Sequence, residues 1–244
     1  MGKISIILAV LDYDENCKIS INSIFNLKVL NSNLFKELII ILGDISKKQI
    51  LLNDYKDKMQ GSTLIKIEES KKGIYAAYNT GLKKAEGEYL IFIGGGEEIN
   101  YDKDIYRKLK QVIDLGLDAY LFNLSIDNNK SIERLDPKYI KCPPHQSIIY
   151  KNKLIKSLNL KYDESLRIYA DGIFTNFYMK QVESFIFLPF ALVDFKKGGL
   201  GNSIKGLRFR ILDRLKILFV YRKNLKGLLA FIKYLLNETI YCFK

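Results

Sequence analysis

The sequence predicts an α/β fold built on a mainly parallel central sheet flanked by helices, and three observations carry that reading. Short runs of β-branched and other apolar residues recur at 3–11, 37–42, 62–67, 88–93 and 118–124. Segments of helical periodicity, about a dozen residues long, lie between them, which is the spacing of βαβ units. Most of these runs stop at a polar or glycine-containing turn.

Residues 3–11 end at Asp12 without a small-residue cleavage site, so the run reads as a buried strand and not as a signal peptide. A helical pattern follows to about residue 27. "ELIIIL" at 37–42 is a second strand closed by Gly43-Asp44, and 46–58 suits a helix. Residues 62–67 form a third strand, 74–85 a helix, and "EYLIFI" at 88–93 a fourth strand that runs into three glycines. Residues 102–115 are helical and 118–124 strand-like. Ligands of such sheets sit outside the carboxyl ends of the strands, which points to the turns at 12–16, 43–46, 71–73 and 94–98. The second half is less regular. Cys142-Pro143-Pro144-His145-Gln146 is a stiff loop, 170–180 a helix, 185–195 one or two strands and 196–202 a glycine-rich loop. Two amphipathic helices then carry the stripes Leu207, Ile211, Leu215, Leu218 and Leu225, Leu228, Ile232, Leu235. The expected organisation is one α/β domain over 1–202 and a C-terminal basic amphipathic helical extension over 203–244.

Composition agrees with one domain of ordinary core size: 244 residues, 48% hydrophobic and 27% charged, which excludes a disordered chain. No run of about 18 uncharged apolar residues is present, so no transmembrane helix is expected. Cys17, Cys142 and Cys242 are too scattered for a disulfide framework or a zinc site and fit a reducing cytoplasm. A lone histidine excludes a multi-histidine metal centre. Of the net charge of +12, residues 203–244 contribute +8, from ten Lys/Arg against two Asp/Glu. That concentration points to a local anionic partner.

The most specific stretch is 72–96, "KGIYAAYNTGLKKAEGEYLIFIGGG". It resembles the "KGIYDAMNKGI…A.GEYI.FLNSGD" pattern of glycosyltransferase family 2 enzymes with the GT-A fold, in particular small bacterial enzymes of surface-polysaccharide synthesis. The resemblance extends more loosely over about residues 3–200. It implies a Rossmann-like GT-A domain and an inverting, metal-dependent sugar transfer from a nucleotide sugar, UDP-linked by expectation, to a lipid-linked glycan acceptor.

Gly73 permits tight backbone approach. Asn79 and Gly81, two apart near a helix start, are of the small or amide type that can face a nucleotide sugar, whereas Tyr75, Tyr78 and Leu82 read as packing residues. In "GGGEE", Glu97 falls by resemblance on the carboxylate that holds Mg²⁺ or Mn²⁺ against the donor diphosphate, with Glu98 its neighbour. The alternative is two solvated glutamates in a turn. Gly94 stands where a first acidic or amide ligand is usual, and Gly95 and Gly96 complete the donor-side turn. Asp171 matches the acidic residue that serves as catalytic base, taking a proton from the acceptor hydroxyl; the alternative for a residue at a helix start is an N-cap, and the resemblance favours the base. Asp163 and Glu164 are less well placed. Asp12 and Asp44 are the polar candidates for donor binding at the first two strand ends. Leu42 and Ala76 replace aspartates of the usual pattern, which admits a shifted donor preference, a rebuilt site or lost activity. His145 and Gln146 resemble an "HQ" near acceptor or diphosphate, and Gly198 and Gly199 a mobile loop closing over donor.

The basic stripe at 203–244 is expected on an anionic membrane surface, the inner face of the cell membrane, with no nucleic acid bound. Pairing of two copies through the same helices is the other reading of those leucines. The competing function is a non-catalytic GT-A-like protein that binds nucleotide, glycan or a partner enzyme.

Overall fold

Ile4–Val10 (β1) is buried at every position, so its sequence shows no alternation; a strand covered on both faces belongs in the middle of a sheet. It pairs in parallel with Phe35–Leu42 (β2) and Tyr89–Gly94 (β4), and Leu64–Glu69 (β3) adds in parallel to β2. Beyond β4 come Ile148–Lys151 (β8), Ala119–Ile126 (β6), Phe185–Phe195 (β9) and Glu98–Ile99 (β5), while Ser131–Glu133 (β7) pairs with β6. β8 runs antiparallel to both β4 and β6, and β9 runs parallel to β6. A parallel half ordered 3-2-1-4 is thus followed by a mixed half. The fifth apolar run of the sequence is β6, and it lies two places from β4 because the four-residue β8 inserts between them. This computed structural model describes residues 3–26, 34–56, 64–70, 73–100, 103–126, 131–133, 143–196 and 203–221.

Helices cover both faces. On one face, Cys17, Ile21 and Ile24 of Glu15–Asn26 (α1) join Ile6, Leu8, Leu38, Ile40 and Ile91 in one apolar cluster. Asp14 caps α1, its Oδ1 accepting the Cys17 N–H at 2.9 Å. Burial first, then Asp14 and Asp12, push the Cys17 thiol up to about 12, so it is an inert core group. On the other face lies Ile74–Lys84 (α3). A Cβ on Gly81 would come within 2.4 Å of Ile7 Cγ2, so this glycine lets α3 settle on β1 and does not face a ligand, contrary to the sequence reading. Tyr75, Tyr78 and Leu82 are buried as expected of packing residues. Lys48–Asp54 (α2) follows a 3-10 turn at Ile45–Lys47, where the sequence suggested one longer helix. Lys103–Ile113 (α4), Asn152–Ser157 (α5) and Ala170–Met179 (α6) complete the layers.

At the amino ends of β1–β3, away from the strand ends where ligands are expected, the buried Glu37 side chain accepts from Ser5 Oγ at 2.6 Å and from the Glu86 N–H at 2.7 Å. Lys66 Nζ pairs with its other oxygen at 2.8 Å. Burial pushes this carboxyl up, but Lys66, Ser5 and the Glu86 N–H outweigh it and hold it below the usual carboxylate value.

The chain divides into two compact units, Met1–Glu164 with Asp171–Lys197, and Ser165–Ala170 with Gly198–Lys244. In the second, Asp213 of Leu207–Tyr221 (α7) is 2% exposed and accepts the consecutive N–H groups of Arg167, Ile168 and Tyr169. Arg214 stacks over the Tyr169 ring at 4.8 Å. Ile204, Leu212, Phe219 and Val220 are exposed, with Lys205, Arg208 and Lys216 exposed beside them. The second amphipathic stripe, Leu225 to Leu235, lies outside the described residues, as do Cys142 and Cys242. Among the described residues no helix is long and apolar enough to cross a membrane.

Candidate active site

The site in the first unit is built around Phe92 of β4. Four aromatic rings meet it edge-on: Tyr78 at 5.3 Å, Tyr162 at 5.4 Å, Tyr150 at 5.5 Å and Phe174 at 5.9 Å. Tyr162 also stacks on Phe174 at 4.1 Å. These contacts lock α6 in place, reinforced by a 2.9 Å hydrogen bond between the hydroxyls of Tyr150 and Thr175. Phe174 and Thr175 lie three and four residues after Asp171, on the same helical face, so the packing that buries them also turns Asp171 inward.

Asp171 stands in the first turn of α6 and is partly buried. Its Oδ1 accepts the Tyr75 hydroxyl at 3.3 Å and the Gly172 N–H at 2.8 Å. It is close enough to act electrostatically on Glu97, Tyr78 and Tyr162. Tyr75 is thereby more than packing. It stacks on Tyr162 at 5.8 Å and presents its hydroxyl to Asp171, a contact across 96 residues that no local pattern announces.

Glu97 is 7% exposed. One carboxylate oxygen, Oε2, accepts the Gly94 N–H at 2.8 Å; the other, Oε1, accepts Gln146 Nε2 at 2.7 Å. Burial pushes this carboxyl up; His145, the Gly94 N–H and Gln146 pull the other way, and Asp171 adds to the rise. His145 follows Pro144 into a 3-10 turn, His145–Ser147, and its ring meets Tyr78 edge-on at 5.5 Å. Its buried Nδ1 has no hydrogen-bond partner among the described residues. Asp171, Tyr75, Glu97, His145 and Gln146 therefore form one neighbourhood at the carboxyl end of β4.

The other expected residues fall elsewhere or into different work. Asn79 was expected to face the donor; its Nδ2 instead donates to the Tyr162 carbonyl and Glu164 Oε1, and its Oδ1 accepts the Tyr162 N–H. The amide is consumed in fastening 162–164 to α3. Asp12 and Asp44 are exposed at the carboxyl ends of β1 and β2, where Asp12 accepts the Tyr13 N–H and Asp44 caps the 3-10 turn through Ser46. Gly73, at φ 99°, supplies the left-handed turn into α3. Gly95 is exposed, and a Cβ there would come within 3.3 Å of Val10 Cγ1, while Gly96 donates to Ser20 Oγ at 2.9 Å and holds the turn against α1. Gly198 and Gly199 lie outside the described residues.

A divalent ion was expected at Glu97 with Glu98. Gly94 has no side chain to contribute, Glu97 is turned inward with both oxygens engaged, and Glu98 sits on β5 opposite Asp194. Among the described residues no group of three or more His, Cys, Asp and Glu stands where it could hold a metal ion. These residues do not fit the expected ion.

No protein-family model and no curated protein matches the sequence. Solved structures do match. S. aureus TarS 1–349 in complex with UDP-GlcNAc superposes with a TM-score of 0.68 at 16% identity, over 88% of this chain and 66% of that one. The same fragment in complex with UDP gives 0.65 at 16% identity, over 88% and 65%, and the fragment alone 0.67 at 17%, again over 88% and 65%. The chain thus spans just under two thirds of the TarS fragment and 40% of the longer TarS structure. At this identity the likeness establishes the fold: a mixed sheet flanked by helices in the Rossmann-like arrangement of GT-A glycosyltransferases.

Proposed function

We propose that the chain is an inverting glycosyltransferase that moves a sugar from a UDP-linked donor to a lipid-linked glycan acceptor in bacterial surface-polysaccharide synthesis. The observation that carries this reading is Asp171, turned by Phe174 and Thr175 toward the carboxyl end of β4 in a fold shared with TarS structures bound to UDP and UDP-GlcNAc. Tyr75 and Gly172 both donate to Oδ1, which leaves Oδ2 for the acceptor hydroxyl. In the transfer the acceptor's hydroxyl oxygen attacks C1 of the donor sugar while Asp171 takes the hydroxyl proton. The bond from C1 to the diphosphate breaks with its electron pair on the departing nucleotide. A single displacement from the opposite face inverts C1.

The basic, partly apolar outer face of α7 supports attachment to an anionic membrane surface, where a lipid-linked acceptor would be held. Lys205, Arg208 and Lys216 supply charge around Leu212, Phe219 and Val220. The deciding experiment is a transfer and donor-hydrolysis assay with UDP-GlcNAc and related nucleotide sugars. Turnover that disappears in Asp171→Asn supports the enzyme. No turnover with any donor favours a non-catalytic binding protein, a reading for which the engaged Glu97 and the bare Gly94 speak.

A further inference from the structure

Taking the nucleotide-sugar reading as premise, we infer that this site binds its donor without a divalent ion, because Glu97 is the carboxylate half of a buried latch. The latch has three members. Gly94 donates its N–H to Oε2 at 2.8 Å, and Gln146 donates Nε2 to Oε1 at 2.7 Å. It ties the turn after β4 to the 3-10 turn His145–Ser147, two segments 49 residues apart. An ion held against a diphosphate needs carboxylate oxygens that reach solvent, since it keeps waters and phosphate oxygens in its coordination shell. Glu97, 7% exposed, does not offer them.

The neighbouring position agrees. Already at Cβ, a side chain on Gly94 would touch the Glu97 carboxyl carbon and the Tyr78 hydroxyl, both at 3.6 Å. That is ordinary contact distance, so position 94 lies directly against the latch. What the latch sets instead is His145, adjacent in sequence to Gln146, whose Nδ1 is the buried group without a partner among the described residues.

The test is calorimetric binding of UDP-GlcNAc and UDP to the full chain, in chelator and in Mn²⁺, with thermal melting of the same samples. The dissociation constants should agree within about twofold between the two buffers. Glu97→Leu should lower Tm and weaken binding in chelator, because it leaves the buried Gly94 N–H and the Gln146 amide without their acceptor. The exchanged pair Glu97→Gln with Gln146→Glu should keep both near the parent values, since the new amide would accept from Gly94 through its oxygen and donate through its nitrogen to the new carboxylate. A structural carboxylate tolerates that exchange; a metal ligand does not. Tightening beyond about twofold in Mn²⁺ overturns the inference, as does an exchanged pair that is as weak as Glu97→Leu. Absence of binding to both UDP and UDP-GlcNAc in both buffers overturns the UDP-linked donor reading itself, a separate result.

Discussion

Glu97 Oε1 and Gln146 Nε2 meet at 2.7 Å in the interior, 49 residues apart in sequence. The first was expected to hold an ion and the second to touch a ligand; together they join two turns at the carboxyl end of β4. If the pair works as a latch, Gln146→Leu leaves a buried carboxylate short of a donor. Stability should fall by about 1–3 kcal/mol, read as a lower urea midpoint with an unchanged slope. An unchanged midpoint would show the pair to be idle.

Asp171→Asn keeps the shape of the side chain and the bonds from Tyr75 and Gly172 to one oxygen. Donor binding should be retained while turnover falls by about two to four orders of magnitude. Near-normal transfer would remove Asp171 from its role.

Tyr75→Phe isolates a smaller effect. The ring keeps its stack on Tyr162, so Tm should hardly move, while Asp171 loses one of its two donors. We expect kcat to drop by about threefold to thirtyfold with KM for donor unchanged. A variant that loses Tm in step with kcat would return Tyr75 to packing alone.

Glu37 sets a pH dependence far from the site. Its folded-state value lies below the ordinary 4.5, so the stability it contributes is present above that value and is lost as pH falls through the lowered one. Lys66→Met removes the opposing charge and strands a buried carboxylate, at about 3 kcal/mol near neutral pH. In the variant, acid unfolding should begin at higher pH than in the parent. Parallel acid-unfolding curves, merely offset in stability, would sink the assignment.

The outer face of α7 gives the membrane prediction. Flotation with vesicles rich in phosphatidylserine or phosphatidylglycerol should recover the full chain at low salt and release it at high salt, since each basic residue near such a surface contributes about 1 kcal/mol. Lys205→Glu with Arg208→Glu should abolish recovery without changing Tm. Salt-independent dimerisation with no flotation would assign the apolar face to a second copy of the chain.

Much of this was legible in the sequence. The apolar runs at 3–11, 37–42 and 88–93 are β1, β2 and β4, because a strand buried on both faces must be written in apolar residues throughout. The helices expected over 74–85 and 170–180 were readable from local periodicity and are Ile74–Lys84 and Ala170–Met179 in the structure. Side-chain employment was not. Asn79 could be seen as an amide on a helix, but its partners, Tyr162 and Glu164, lie 83 and 85 residues away. Glu97 could be seen as an acid after a strand, but whether it faces solvent or the interior depends on Gln146. Tyr75 looked like packing until α6 brought Asp171 to its hydroxyl. Periodicity records which face of an element is buried, a property of neighbours along the chain. A hydrogen bond between distant segments leaves no trace in that pattern, so only the tertiary structure decides which polar groups remain for chemistry.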